Sequence, residues 1–148
     1  MRDITLLACL SLTWAACGDS GSPTAPTMPP TPSPTSDTRT IQASPSFSAT
    51  IQEVFVRRDC INSACHGTAR QAALDLRVGA AYGSLVGVPA TNEARVRVVP
   101  GDPDNSYLVI KLEGRQSIGT RMPQVGAPLD EIDLTNIRNW IAEGAQNN

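Results

Sequence analysis

The run Cys60-Ile-Asn-Ser-Ala-Cys65-His66-Gly67 carries the most distinctive chemistry in the chain. Two thiols with an imidazole directly after the second are the layout of a c-type haem attachment, which ordinarily has two residues between the cysteines. The chemistry explains the layout. The thiols add to the vinyl groups of neighbouring pyrroles, and the residue that follows then lies under the iron. His66 would coordinate through one ring nitrogen, while its other ring N–H seeks a carbonyl acceptor that fixes its orientation. Here four residues separate Cys60 from Cys65, so two of them must bulge outward, and Ser63 and Ala64 are small enough to do so. The same residues admit other chemistry. In an oxidising compartment a Cys60–Cys65 disulfide would close a small loop and leave His66 on the surface, the core of a haem-free binding or scaffold module. A zinc ion would find three donors, but adjacent side chains rarely reach one ion and no second Cys or His pair completes a tetrahedral site. A catalytic thiol with His66 as base lacks a group to orient the imidazole.

These residues need elements to position them. Phe47, Ile51, Val54 and Phe55 recur at helical spacing, with Ser46 or Ser48 as N-cap, and predict a helix ending near Asp59-Cys60. Residues 62–79 are rich in small side chains, with Leu74 and Leu76 as buried candidates. A short helix is expected over Ala80 to Val86, closed by Gly87 and Pro89, then an extended piece at Val96, Val98 and Val99. Asp102-Pro103 reads as a helix start, the helix carrying Tyr107, Leu108, Ile110 and Leu112 as far as Gly114. Residues 115–128 read as a loop. In the last helix Asp130 is the N-cap, Asp133 approximates a capping box, and Leu129 and Leu134 form a hydrophobic staple. Leu134, Ile137, Trp140 and Ile141 make its apolar stripe, and Gly144 ends it. The fold class is therefore mainly α, a small helical domain with long loops. Between residues 47 and 148 only five side chains are aromatic, so cohesion calls for a disulfide, a metal or a large apolar cofactor.

Taken in order, the leading helix, the Cys-Cys-His run, Met122-Pro123 in a Gly/Pro-rich loop and a terminal helix with Trp140-Ile141 resemble a small class I cytochrome c. Val99-Pro-Gly-Asp-Pro103 and Trp140-Ile-Ala-Glu-Gly-Ala145 are likewise similar to cytochrome-like domains of exported bacterial proteins. The resemblance covers roughly residues 47–145. It implies one covalent haem c on Cys60 and Cys65, with His66 as proximal iron ligand and Met122 as distal ligand. Counting agrees, because His66 is the only His and Met122 the only Met beyond residue 28. A thioether favours reduced iron and raises the potential relative to a second imidazole. His/Met ligation leaves no open site, which implies an electron carrier and not an enzyme, with membrane-associated or periplasmic redox proteins as partners. Arg121 is a candidate partner for a haem propionate, or simply a solvated loop charge.

The N-terminus supplies an address. Residues 4–17 are strongly apolar but shorter than the roughly 20 residues a spanning helix needs. Arg2 precedes them, Ala15 and Ala16 end them, and Cys17 follows, an arrangement that resembles a bacterial lipoprotein signal. Trp14 stands third before Cys17, where that family usually has Leu. Leu6-Leu7-Ala8-Cys9 fits the short pattern but leaves almost no apolar segment before the cut. The organisation that follows is a signal peptide over 1–16, a lipidated Cys17 with a Pro/Ser/Thr-rich linker over 17–46, and a domain over 47–148. The linker holds seven of the twelve prolines and cannot bury a core. Extended Pro-rich chain would hold the domain away from a lipid membrane on the periplasmic or cell-surface side. The chain carries a net charge of −2, and the domain 10 basic and 11 acidic side chains. That balance excludes a basic nucleic-acid surface and a polybasic membrane patch.

Overall fold

The computed structural model describes residues 39–148. The signal peptide, Cys17 and the linker as far as residue 38 lie outside them. Ser46 opens the first helix, its Oγ accepting the Ala49 N–H at 3.3 Å. A π-helical turn over Phe47–Ile51 runs directly into α1, Gln52–Arg57. Phe47, Ile51, Val54 and Phe55 are all buried, as their spacing requires. After Arg58, Asp59 turns into the left-handed region (φ 55°) and releases the chain into the Cys60 loop. A single 3-10 turn follows at Gln71–Ala73, then α2 at Ala81–Leu85, α3 at Tyr107–Glu113 and α4 at Glu131–Ala142. No strand forms among the described residues, and no helix among them is long and apolar enough to cross a membrane.

Two expectations are corrected. The extended piece at Val96–Val99 makes only isolated bridges, Val86 with Val98, Pro89 with Val96 and Val99 with Asp102. The Pro89–Val96 bridge is held by its neighbours, Ala90 N–H on the Arg95 carbonyl and Arg97 N–H on that of Val88, and the pairing goes no further. The helix expected from Asp102-Pro103 begins at Tyr107 instead. Asp102 does accept a free amide, from Asn105 at 3.1 Å, but it closes a turn there. Ser106 then interrupts the path, its buried hydroxyl donating to the Asp102 carbonyl and accepting the Val99 N–H. A short polar side chain serves a turn as well as a helix cap, and the two are indistinguishable until the next residue is placed.

In α4 the N-cap holds, with Asp130 Oδ1 accepting the Asp133 N–H at 3.0 Å. The reciprocal half of the capping box does not form. Asp133 is buried and its Oδ1 instead receives Arg39 and Arg57 at 2.8 and 2.6 Å. Gly144 (φ 93°) ends the helix, with Ala145 N–H on the Trp140 carbonyl and Gly144 N–H on that of Ile141. That is the paired geometry of a Schellman cap. Leu129 and Leu134 both pack against the core. The core centres on Trp140, Phe47 and Tyr82. Phe47 lies 5.2 Å from each of the other rings, edge-on to Tyr82 and tilted against Trp140.

Residues 39–46, placed in the linker by their composition, are seated on α4. Arg39 pairs with Asp130 and Asp133, Gln42 N–H donates to Asn136, and Asn136 and Asn139 donate back to the carbonyls of Thr40 and Gln42. Proline content marks chain that cannot form a core. It says nothing about whether polar backbone groups find partners on a neighbouring helix.

Candidate functional site

The four residues between Cys60 and Cys65 form a compact turn organised by Asn62. Its side chain accepts the Ala64 N–H at 3.0 Å, and its carbonyl accepts the amides of Cys65 and Gly67. His66 N–H reaches back to the Cys60 carbonyl, so the two cysteines and the histidine close on one another through backbone bonds. Ser63 and Ala64 are both exposed, but only Ser63 stays off the cavity, since Ala64 lines it. Gly67 is buried at the point where the turn crosses itself. A Cβ there would lie 2.2 Å from the Ile61 carbonyl oxygen and 2.8 Å from that of Asn62. Only glycine fits.

His66 is half-buried, and its Nδ1 lies 3.0 Å from the Gln71 carbonyl. A carbonyl can only accept, so Nδ1 carries the proton. Burial lowers the imidazole pKa, against the opposing carbonyls of Gln71 and Leu74, which favours the neutral ring at pH 7. The neutral ring keeps a lone pair on Nε2, the state a metal ligand needs. The backbone of His66 is also tied, its carbonyl accepting the Leu76 N–H, while Gln52 of α1 donates to the Leu76 carbonyl.

Gln71 itself lies in strained chain. Arg70, Ala72 and Ala73 all adopt positive φ, of 47°, 57° and 54°. Each such non-glycine residue costs about 1–2 kcal/mol. The buried Arg97 guanidinium offsets that cost by donating to the carbonyls of Ala72 and Ala73 at 2.9 and 3.3 Å, and to that of Ser84 at 2.7 Å. A planar fork reaches the separated oxygens from two nitrogens, Nη1 and Nη2, whereas an ammonium must serve them from one.

Cys60, Cys65, His66 and Met122 all line one cavity of about 700 Å³. Val54, Phe55, Leu74, Leu76, Leu108 and Leu112 provide an apolar wall, and Arg97 and Lys111 add positive charge. This is the size and lining of a site for a sizeable, largely apolar molecule. The two cysteines are free thiols of unequal character. Cys65 is exposed, whereas Cys60 is half-buried and burial pushes its thiol up to about 11. Met122 joins the lining from the loop after α3, its N–H on the Lys111 carbonyl at 2.9 Å. No family model, curated protein or solved structure matches the chain. The geometry must speak for itself.

Arg121 does not line this cavity. Its side chain lies over Gly114, beside a shallow recess with Glu113 and Pro123. The cations on the cavity wall are Arg58, Arg97 and Lys111, the last two with pKa lowered by burial. Neither is legible in one dimension, although an arginine between Val96 and Val98 is a weak sign that its stem is covered. Among the described residues no three His, Cys, Asp or Glu side chains gather to hold a metal ion, so the zinc alternative lacks a donor set.

Proposed function

We propose that the protein is a membrane-tethered monohaem c-type electron-transfer protein, a one-electron carrier between redox partners. The observation that carries this reading is the convergence of Cys60, Cys65, His66 and Met122 on a single apolar cavity, from segments almost sixty residues apart. A spacing motif alone would not require a methionine to arrive there. The donor set suits the group: two thiols for covalent attachment, a neutral imidazole oriented through Nδ1, and a thioether. His66 and Met122 would hold the iron, Cys60 and Cys65 the porphyrin. Arg58, Arg97 and Lys111, in place of Arg121, give the wall cations that suit an acid-bearing porphyrin. When bound, the haem supplies a one-electron couple, and ligation on both sides leaves no position for substrate.

The protein's own residues do the rest. The apolar wall excludes water, the Asn62 turn presents both thiols, and the Gln71 carbonyl keeps the ring of His66 from rotating. In this reading the chain is exported, Cys17 carries lipid, and the chain after it lets the domain meet periplasmic or membrane-associated redox proteins.

Expression in an exporting bacterium with haem-attachment machinery tests the proposal. Denatured protein is expected to retain haem stain and a pyridine haemochrome spectrum, and its intact mass to include one haem. Colourless protein whose mass is lower by two hydrogens would instead establish the Cys60–Cys65 disulfide and a haem-free binding module.

A further inference from the structure

We infer that Glu93 is a positioning residue for Met122, its carboxylate clasping the loop that carries Met122 to the cavity wall. The inference rests on Met122 as an iron ligand. Residues 114–122 have little of their own to order them. They form no helix, Ser117 to Arg121 are exposed, and Ile118, the one large apolar side chain before Met122, is 53% exposed. Segments of this kind open at low free energy unless something outside them holds them.

Glu93 is that something. Its side chain is only 7% exposed although it belongs to a surface segment. One oxygen, Oε1, accepts the consecutive backbone N–H groups of Ser117 and Ile118, each at 3.1 Å, and the Tyr107 hydroxyl at 3.2 Å. The other, Oε2, receives Arg95 at 3.3 Å. Among the described residues, the other hydrogen bonds of residues 115–122 run to α3 or stay within the loop. Arg115 N–H donates to Ile110, Lys111 Nζ to Thr120, and Met122 N–H to Lys111. Glu93 therefore joins three segments at once: its own, α3 through Tyr107, and the loop. Tyr107 and Lys111 line the same cavity as Met122, so the clasp sets the loop against the wall where the thioether is needed.

The chemistry calls for an ionised carboxylate. Two adjacent amides and a phenol converge on one oxygen, and hydrogen bonds to an anion are roughly twice as strong as neutral ones. Burial pushes the Glu93 carboxyl up, but the donors of Ile118, Tyr107 and Ser117 outweigh it and hold the group below its ordinary value.

The test uses the full chain and the variants Glu93→Ala, Glu93→Gln and Arg95→Ala, all from the haem-maturing host. In Glu93→Ala the methionine-to-iron charge-transfer absorbance is expected to disappear and the reduced protein to bind carbon monoxide. Amide exchange at Ser117 and Ile118 should accelerate by about tenfold or more while Ile137 and Ile141 keep their protection. Glu93→Gln retains an oxygen acceptor and should lie between, and Arg95→Ala should match the parent. A Glu93→Ala protein with parental absorbance and no carbon monoxide binding overturns the inference, as does unchanged exchange at Ser117 and Ile118. If the alanine variant is recovered unfolded, Glu93→Gln decides by the same two readouts. A parent chain without haem would sink the reading of Met122 itself, and exchange in that chain would still decide whether the clasp exists.

Discussion

The wall carrying Cys60, Cys65 and His66 and the wall carrying Met122 are held in different ways. On the first, backbone groups close on near neighbours: His66 on Cys60, Gly67 on Asn62, Gln71 on Cys65 and Leu76 on His66. On the second, an exposed loop without regular structure is fastened by side chains from elsewhere, Glu93 at separations of 24 and 25 residues and Lys111 of α3. A local wall is rigid because its bonds cost little chain entropy to close, whereas a distant clasp is as strong as its few contacts. This would suit the proposed haem site, in which the first wall carries the covalent attachment and the second supplies Met122.

The largest effect should come from breaking the local wall. Gly67→Ala drives a Cβ into two carbonyl oxygens, and a loss of about 3 kcal/mol is expected, read as a fall in unfolding midpoint together with poor haem incorporation. Next is Arg97→Met, which takes the guanidinium from the carbonyls of Ala72, Ala73 and Ser84 and leaves Ala72 only the Thr91 hydroxyl. It should cost about 2 kcal/mol in denaturant unfolding, and Arg97→Lys should recover only part of that. This variant also sharpens the comparison, since Arg97 is the distant side chain that reaches both Ala72 and Ala73 of the strained segment.

Met122→Ala acts on the other wall. Met122 is only half-buried, so the stability loss should stay near 1 kcal/mol, while carbon monoxide binding and an altered optical spectrum report the opened ligand position. Unchanged spectra would remove Met122 from the site. The smallest effect concerns acid. Arg77 holds the Asp75 carboxyl far below its ordinary 3.8, whereas Glu93 starts from 4.5 and its donors work against burial. Carboxyls depressed by folding contribute fully above their ordinary values and lose that contribution as pH falls. The protection of the Ser117 and Ile118 amides, read as the ratio of intrinsic to observed exchange rate at each pH, should therefore fall with falling pH before that of the Cys60–Leu76 segment does.

Much of this arrangement was legible along the chain. The Ser46 cap, the buried face of α1, the Asp130 cap, the stripe of α4 and the stop at Gly144 all follow from periods and caps whose partners lie within one or two helical turns. Tyr107 carried no signal because one phenol looks like any other until a buried carboxylate faces it. Arg121 is the cation that adjacency to Met122 suggests, yet its side chain lies over Gly114 and off the cavity. The seating of residues 39–46 on α4 was hidden because it depends on Asn136 and Asn139, almost a hundred residues away.

By itself the order of residues determined the mainly helical class, the helix ends and the close spacing of two thiols and an imidazole, since each depends on interactions spanning a few positions. Only the tertiary structure decided that Met122 lines one cavity with that trio, that Arg58, Arg97 and Lys111 bring cations to it, and that Glu93 grips the loop before Met122. Those outcomes depend on which distant groups are buried together, and burial is a property of the packed chain that no local spacing encodes.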